Sequence, residues 1–388
     1  TARYAPACAA YNGNIYVTGG ATGTDAGASP LTVATVEMYD PVTDAWTGKT
    51  AMPAARFDHA CVEYGGTIYV AGGRLTSFSD AQNDLYAYDP VGGGWTTLSN
   101  VPTARGGLSC AVHGGLIYVL GGGGSYFGTD TVETFDPATS TWSLRPGMPR
   151  NRTSHGSKVI DGRMYVVGGT DGSTFPLEVD AYDFPAQGMW TARPVLMTPR
   201  GRACSASGRG ALHVLGGEGG LNLNERYDPA TSTWTTDTAM PTQRMGASSA
   251  AVGDVIYVIG GTTNYTAFLS TVEGFDTSTG TWTTGLAAMP TARADAMCAA
   301  VGGKVYVISG ANGIPLTEVA TVEENTARNT AMPRRYLSAN TARPTPKITP
   351  SGTKAPAADA GPTVPVTFKF TIASPPCAVS MSLRKSER

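Results

Sequence analysis

The sequence lacks several features that would indicate common classes of protein. No segment approaches the length of apolar sequence that a membrane-spanning helix needs. None of the six cysteines stands in a Cys-x-x-Cys pair or at another close metal-ligand spacing, which argues against a zinc site. Charged residues are only 15% of the chain and the net charge is −2, so charge gives no case for nucleic-acid binding. We therefore expect no membrane span, no metal or other cofactor, and no nucleic acid.

What the sequence does contain is repetition. The heptapeptide DPATSTW stands at residues 136–142 and again, letter for letter, at residues 228–234. A motif that performs chemistry is usually needed once, whereas a structural building block is needed many times. Internal repeats therefore take precedence over any other feature of the sequence.

Each repeat begins with an arginine that is followed, sixteen and seventeen residues later, by two glycines. In the first repeat these residues are Arg3, Gly19 and Gly20. The same spacing starts at Arg56, Arg105, Arg152, Arg200 and Arg244. In a seventh copy, Arg293 is followed by Ser309 and Gly310. The spacing stays constant although whole repeats differ in length, so it marks a rigid part of each unit.

Four short strands are predicted in each repeat. Strands A and B flank a turn such as Asn12-Gly13, and such a pair of β-rich runs indicates a hairpin. Strand B carries an apolar-Tyr-Val run before the double glycine. Strand C ends in a Tyr-Asp-Pro turn, as in VEMYDP at 36–41, and strand D carries a tryptophan such as Trp46. Apolar side chains on both faces of strands B and C suit a sheet packed between two others.

These residues resemble the kelch repeat, whose marks are the double glycine, the downstream Tyr-Asp-Pro and the tryptophan six residues after the aspartate. Kelch repeats are about 50 residues long, and the arginines of this chain recur at a similar interval. Seven matching units cover residues 3 to about 335. The resemblance implies an all-β fold: a seven-bladed kelch-type β-propeller of four-stranded antiparallel blades at residues 1–335, with the last repeat degenerate.

The seventh repeat departs from this pattern because it has no Tyr-Asp-Pro and no tryptophan. We expect its missing strand D to come from upstream of Thr1, since the chain opens inside the pattern; the alternative is the tail strand VPVTFKFTI at 364–372. Without closure the last blade would keep an exposed edge. Residues 336–388, rich in threonine, proline and alanine, are predicted to form an irregular linker and tail.

The candidate ligand-binding residues lie on the face that carries the heads of strands A and the B–C loops. A ring of arginines there suits carboxylates, acidic sugars or acidic peptide loops. The alternative, which periodicity favours, is that each arginine pairs with an acid of strand C, such as Glu37, Glu133, Asp180, Glu225, Glu273 or Glu323. The arginine set is Arg3, Arg56, Arg105, Arg152, Arg200, Arg244 and Arg293.

The B–C loops are the part of each repeat where periodicity fails, and binding specificity commonly lies on such loops. Aromatic rings among polar residues suit sugar stacking or peptide capture; the alternative is that they fold back over the blades. These candidates are Phe78, Tyr126, Phe127, Phe175, Tyr265 and Phe268.

Periodic cysteines and histidines indicate structural roles. Cys8, Cys61, Cys110 and Cys298 stand five residues after the repeat arginine, where other repeats have serine, so we expect free buried thiols. His59 and His155 also share one repeat position, so no metal site and no catalytic residue is assigned.

The leading hypothesis is a non-catalytic propeller that binds a protein or glycan ligand at its mouth. The alternatives are a carbohydrate-active enzyme of the mutarotase or oxidase kind, since some kelch-like propellers are enzymes, and a structural surface or filament subunit that self-associates through its tail. Composition favours an extracellular or cell-surface location over a cytoplasmic one.

Overall fold

A computed structural model of the chain describes residues 3–22, 31–77, 79–124, 127–174, 178–184, 188–198, 200–218, 221–264, 266–312, 317–318 and 322–326. All regular secondary structure in these ranges is β-strand. The predicted linker and tail at 336–388, with the possible strand at 364–372, lie outside the described residues, and that part of the domain assignment stays a prediction.

The strands follow the four-strand pattern of the repeats. Strand A is Ala7–Tyr11, Ala60–Tyr64, Ser109–His113, Gly156–Ile160, Cys204–Gly208, Ser248–Val252 and Met297–Val301. Strand B is Asn14–Thr18, Thr67–Ala71, Leu116–Leu120, Arg163–Val167, Ala211–Leu215, Val255–Ile259 and Lys304–Ile308. Strand C is Val36–Asp40, Leu85–Tyr88, Val132–Asp136, Val179–Asp183, Asn224–Asp228, Val272–Asp276 and Val322–Thr326. Strand D is Ala45–Lys49, Trp95–Thr97, Thr141–Arg145, Met189–Arg193, Thr233–Thr236 and Thr281–Thr283. Two short pairs, Ala21–Thr22 with Leu31–Thr32 and Ala311–Asn312 with Thr317–Glu318, extend B–C connections.

The expectation of seven four-stranded blades is wrong, because the propeller has six. Six sheets have the order A-B-C-D with every neighbouring pair antiparallel, and we number them blades 1–6. The last repeat gives a sheet of three strands, A-B-C, among the described residues; we call it the seventh sheet. The physical reason lies in the sequence, since this repeat has neither the aspartate at the end of strand C nor the tryptophan that build the C–D hairpin in the other six.

Strands A are innermost, because strand A of each sheet contacts strand A of the next. Apolar side chains fill the space between neighbouring sheets. Between blades 2 and 3, for example, Val62 and Tyr69 pack with Leu108, Ile117 and Phe135, all buried. Burial of a side chain of this kind contributes roughly 1.5–3 kcal/mol. The strands therefore position the loops at one end of the sheets and the turns at the other.

The double glycine joins one blade to the next. The amide of Gly73 donates to the carbonyl of Arg105 at 2.9 Å, and Gly20, Gly122, Gly217 and Gly261 donate in the same way to the next repeat arginine. A Cβ on Gly72, whose φ is +61°, would stand 2.5 Å from that carbonyl oxygen. Gly168 of blade 4 differs, because a Cβ there would have no atom of a described residue within 4 Å.

Free thiols are confirmed for five of the six cysteines. Cys8, Cys61, Cys110, Cys204 and Cys298 are buried and form no disulfide. Burial raises the pKa of the Cys8 and Cys110 thiols to about 12, so both are neutral at physiological pH.

Candidate functional site

The seven repeat arginines are buried, with at most 3% of each residue exposed. Arg3 donates to the carbonyl of Gly19 at 2.8 Å and Arg56 donates to that of Gly72 at 2.7 Å. Equivalent bonds run from Arg105, Arg152 and Arg244 to the first glycine of their own repeats, and from Arg293 to Ser309. Each of these guanidinium groups thus holds the end of strand B at the point where the loop begins.

The expected pairing with strand C acids is present. Arg152–Asp180, Arg200–Glu225 and Arg244–Glu273 are joined at 2.7 Å, and Arg3–Glu37 and Arg105–Glu133 form the same contact. Blade 2 has Tyr86 at the acid position, and Arg56 instead reaches Asp84 at 3.0 Å. Burial raises the pKa of the Asp180 carboxyl, while Arg152 acts in the opposite direction. The arginines are therefore buried below the surface from which the B–C loops extend. Their contact with a ligand stays a prediction.

Two of the six aromatic candidates are within the described residues. Phe127 is 62% exposed on its loop. Phe268 is half-buried and forms a β-bridge with Thr262. Phe78, Tyr126, Phe175 and Tyr265 lie outside the described residues, so their part in binding stays a prediction.

The structure also reveals a set of positions that the sequence reasoning missed. The residue two positions after each repeat arginine has a left-handed backbone, with φ between 45° and 66°. We call these the axial positions: Ala5, Asp58, Gly107, Ser154, Arg202, Gly246 and Asp295. Backbone hydrogen bonds of 2.8–3.0 Å link Ala5 to Asp58, Gly107 and Ser154 in turn, and link Arg202 to Gly246 and Asp295. They form two arcs at the loop end of the innermost strands.

Charge at the axial positions breaks the repeat symmetry. Asp58 accepts a hydrogen bond from Arg74 Nε at 2.9 Å, and Arg74 also donates to the carbonyl of Gly123 at 3.0 Å. Arg202 of blade 5 pairs with Asp295 of the seventh sheet across the intervening blade 6. Burial raises the pKa of the Asp295 carboxyl and Arg202 opposes the shift. Two unlike ion pairs thus stand on an otherwise periodic scaffold.

The absence of a side chain at Gly246 allows Arg202 and Asp295 to meet. A Cβ on Gly246 would stand 2.5 Å from Oδ1 of Asp295 and 2.9 Å from a terminal nitrogen of Arg202. One sequence signal could have pointed to these residues: the axial position changes from alanine to aspartate, glycine, serine and arginine, while the arginine two residues before it never changes.

Two buried histidines join neighbouring sheets. The Nε2 atom of His59 is 2.9 Å from Oγ1 of Thr18, and Nε2 of His155 is 2.9 Å from Oγ of Ser109. Burial, with Arg56 next in importance, lowers the pKa of His59 to about 3; burial and Arg152 lower that of His155 to about 3. Both imidazoles are neutral, which fits the structural role expected from their repeat position.

Within the described ranges, no group of three or more His, Cys, Asp or Glu side chains is placed to hold a metal ion. A search of the same residues finds no helix with the length and apolar character that crossing a membrane requires.

Comparison with protein families gives matches over most of the repeats. A family model described as the KLHDC2/KLHL20/DRC7 Kelch-repeats domain matches residues 1–146 and 59–240. A second model, described as the Kelch motif, matches residues 243–285.

Individual relatives match over shorter stretches. Kelch-like protein 36 of Bos taurus is 27% identical over 195 residues, which is 49% of this chain and 32% of that protein. The F-box/kelch-repeat protein At1g67480 of Arabidopsis thaliana is 37% identical over 73 residues, which is 19% of this chain and 18% of that protein. The matched region thus spans less than a third of the length of either relative.

Among solved structures, the one titled "Structure of YjhT" superposes with a TM-score of 0.58 at 17% identity. The match covers 73% of this chain and 97% of that one. At this identity the likeness concerns the fold.

Proposed function

The chain belongs to the kelch-repeat family, and from this premise we propose that it binds a partner protein through its loop face. We define the loop face as the axial positions together with the B–C loops around them. Kelch propellers typically mediate protein interactions. That this chain uses its loop face for such an interaction is inferred from the chemistry described above.

The observation that carries the proposal is the unequal charge at the axial positions. Asp58–Arg74 and Arg202–Asp295 stand where a purely structural ring would repeat one small residue. Asp58–Arg74 is buried, whereas the Asp295 side chain is 22% exposed, so Arg202–Asp295 is the pair that charged side chains of an incoming protein can reach. Charge complementarity sets specificity and association rate. The proposed partner therefore presents both an acidic and a basic side chain to the centre of the face.

The loops supply apolar contact around this centre. Phe127 is 62% exposed, and an exposed aromatic ring at the rim of a charged centre is the type of residue that anchors protein interfaces. The repeat arginines support the face in this proposal because they hold the glycine carbonyls from which the loops start. Direct ligand contact by Arg3, Arg56, Arg105, Arg152, Arg200 or Arg244 would require opening of their ion pairs.

Site-specific photo-crosslinking tests the proposal. The full chain carries p-benzoylphenylalanine either in place of Phe127 or, as the control, in place of Ala230, which is exposed at the opposite end of blade 5. We expect a protein adduct from position 127 alone. The captured protein, purified separately, should then bind the Arg202→Gln variant about tenfold more weakly, a loss of about 1.4 kcal/mol.

Three outcomes would overturn the proposal: equal adducts from both positions, no adduct from position 127, or unchanged affinity of the Arg202→Gln variant. A glycan array separates the glycan alternative. An oligosaccharide that binds the full chain, and is lost in Phe127→Ala, would assign the face to a sugar rather than to a protein.

A further inference from the structure

The opposite end of the sheets carries a feature that the loop face does not explain. We define the turn face as the A–B and C–D turns. In blades 1–3 the last residue of strand A is aromatic: Tyr11, Tyr64 and His113. The same repeat position holds Ile160, Gly208, Val252 and Val301 in the other sheets. The aromatic rings are therefore confined to one part of the ring of sheets.

Each aromatic ring lies across the turn or chain of the next blade. A Cβ on Gly66 would be 3.8 Å from the Tyr11 ring, and one on Gly115 would be 3.5 Å from the Tyr64 hydroxyl. His113 stacks on Phe184 of blade 4 with the ring centroids 3.7 Å apart. Tyr11, Tyr64 and His113 are half-buried, so each still offers part of its ring to solvent.

Exposed aliphatic side chains stand in the same part of the turn face. Val42 and Val91, each two residues after the aspartate of a C–D turn in blades 1 and 2, are 93% and 81% exposed. No other large hydrophobic residue among those described is more exposed. Apolar groups that cluster with aromatic rings on a surface commonly mark a contact site.

The charges of this part are of one sign. The turn segments of blades 1–3, which are residues 11–14, 40–44, 64–67, 89–94, 113–116 and 136–141, contain four acids and no lysine or arginine. The A–B turns of blades 4 and 5 and of the seventh sheet carry Arg163, Arg209 and Lys304, whereas that of blade 6 carries Asp254; Arg163 and Arg209 pair with acids. Backbone hydrogen bonds from Val42 and Ala138 lower the pKa of Asp40 and Asp136, which keeps both ionised at neutral pH.

The repeats as a whole also carry a net negative charge. Residues 1–326 hold 28 of the 30 acids but only 18 of the 28 lysines and arginines, so this part carries −10. Burial of the repeat arginines changes this balance little, because most of them pair with an acid that is also buried. The accessible surface is therefore more acidic than the composition suggests, and long-range attraction favours a cationic partner.

We propose that the turn face of blades 1–3 is a second interaction surface, which binds a cationic amphipathic segment of a partner protein. Arginine or lysine side chains of such a segment would face the aspartates and the tyrosine rings, where cation–π contact contributes. Its apolar side chains would cover Val42 and Val91. The surface lies at the opposite end of the sheets from the loop face, so the two proposals stand or fall separately.

Fluorescence anisotropy with two labelled peptides tests this surface on the full chain. One peptide alternates arginine and leucine, and its matched counterpart alternates glutamate and leucine. We expect the arginine peptide to bind at least about tenfold more tightly, with affinity falling as salt is raised. The triple variant Val42→Ser/Val91→Ser/Asp89→Asn should weaken binding by about tenfold or more.

A control variant separates this surface from general charge attraction. Asp228→Asn changes the same turn position in blade 5, where strand A ends in Gly208 and Ala230 stands in place of the exposed valine, and should alter affinity less than about twofold. The proposal is overturned by no binding of the arginine peptide, by equal binding of both peptides, or by an equal loss in Asp228→Asn. The triple variant replaces exposed side chains, so circular dichroism should confirm that it folds as the parent chain does.

Discussion

At the scale of the residue, the first glycine of the double-glycine pair is required for different physical reasons in different blades. All of these glycines have positive φ, which costs a residue with a side chain roughly 1–2 kcal/mol. In blade 2 the next arginine carbonyl would also stand 2.5 Å from a Cβ on Gly72, whereas in blade 4 no described residue comes within 4 Å of a Cβ on Gly168. Ser309 occupies the same position in the seventh sheet with φ of 60°.

This difference predicts unequal effects of one substitution. Gly72→Ala should lower the free energy of unfolding by roughly 3 kcal/mol or more, because it adds a backbone clash to the conformational cost. Gly168→Ala should lose only about 1–2 kcal/mol. Urea unfolding of the two variants measures the difference, and equal losses would contradict the account of close approach between blades.

Buried neutral histidines make stability depend on pH. The folded pKa of His59 and His155, about 3, lies below the unfolded value, so the unfolded state binds more protons between the two. Their contribution is complete above pH of about 6.5 and is lost as the pH falls toward 3, by up to about 1.4 kcal/mol per pH unit for each histidine.

The variant His59→Gln keeps a hydrogen-bonding side chain opposite Thr18 and removes one titrating group. We expect the acid loss of unfolding free energy between pH 6.5 and 4.5 to be shallower than in the parent by about one proton. Urea unfolding across that range provides the measurement. A slope equal to that of the parent would show that His59 titrates normally.

The buried ion pair Arg152–Asp180 allows a test of what the repeat arginines do. Arg152→Met leaves Asp180 buried with its charge uncompensated, and should cost about 3–5 kcal/mol of stability. The double variant Arg152→Met/Asp180→Ala should recover part of that loss, because neither charge remains. A double-mutant cycle by urea unfolding gives the coupling; additive losses would mean that the two side chains act independently.

At the scale of the element, strand D of each later blade is tied to the blade before it. The indole of Trp95 donates to the carbonyl of Thr50 at 2.9 Å, and Trp142, Trp190, Trp234 and Trp282 repeat this contact one blade further on. Trp46 of blade 1 is 40% exposed and donates no hydrogen bond within the described part of the chain. The sheet that precedes it in the ring has no described strand D to accept one.

The tryptophans therefore form a matched pair for mutation. Trp142→Phe should lower the free energy of unfolding by about 1 kcal/mol more than Trp46→Phe, because only the first loses an indole hydrogen bond. Both residues keep an aromatic contact inside their own blade, at 5.2 Å to Phe135 and 5.4 Å to Tyr39. Thermal or urea unfolding of both variants makes the comparison, which an equal loss would contradict.

The strands themselves could be predicted from sequence because each repeat contains its own turns. The double glycine, the Asp-Pro turn and the tryptophan place strands A to D, and the structure has them in that order. The partner of Arg56 could not be predicted, since Tyr86 replaces the expected acid and Asp84 lies one residue before the strand. Arg202 and Asp295 are 93 residues apart, so only the folded ring shows that they meet.

The number of four-stranded blades could not be read from the number of repeat arginines. The arginine and the glycines establish strands A and B, whereas a complete blade also needs the C–D hairpin. The arginine pairs could be predicted as an alternative to ligand contact, because a residue that recurs in every repeat more often serves the scaffold.

At the scale of the whole molecule, stability depends on contact between the first and last sheets. Tyr306 of the seventh sheet packs with Ile15, Val17 and Tyr39 of blade 1, and the rings of Tyr39 and Tyr306 are 5.4 Å apart. In repeat proteins each unit is stabilised by its neighbours, so loss of one interface weakens both adjoining units.

We expect Tyr306→Ala to lower the free energy of unfolding by about 3–5 kcal/mol, as for other large buried aromatic residues. Tyr306→Phe, which retains the ring, should lose much less. Circular dichroism, which reports all of the sheets, and tryptophan fluorescence, which reports blades 1–6 because the seventh sheet has no tryptophan, should show the transition at one denaturant concentration. A loss confined to one probe would show that the first and last sheets unfold separately.

The absence of a close described neighbour beside Gly168 bears on where the ring of sheets opens locally. The innermost strands of blades 4 and 5 approach each other less closely than those of blades 3 and 4 or of blades 5 and 6, and the axial hydrogen bonds form separate arcs on either side. We therefore expect the ring to open locally at this contact more readily than at the contacts between blades 3 and 4 or between blades 5 and 6. Amide protons of strand A at residues 156–160 should then exchange with deuterium sooner than their equivalents at 109–113.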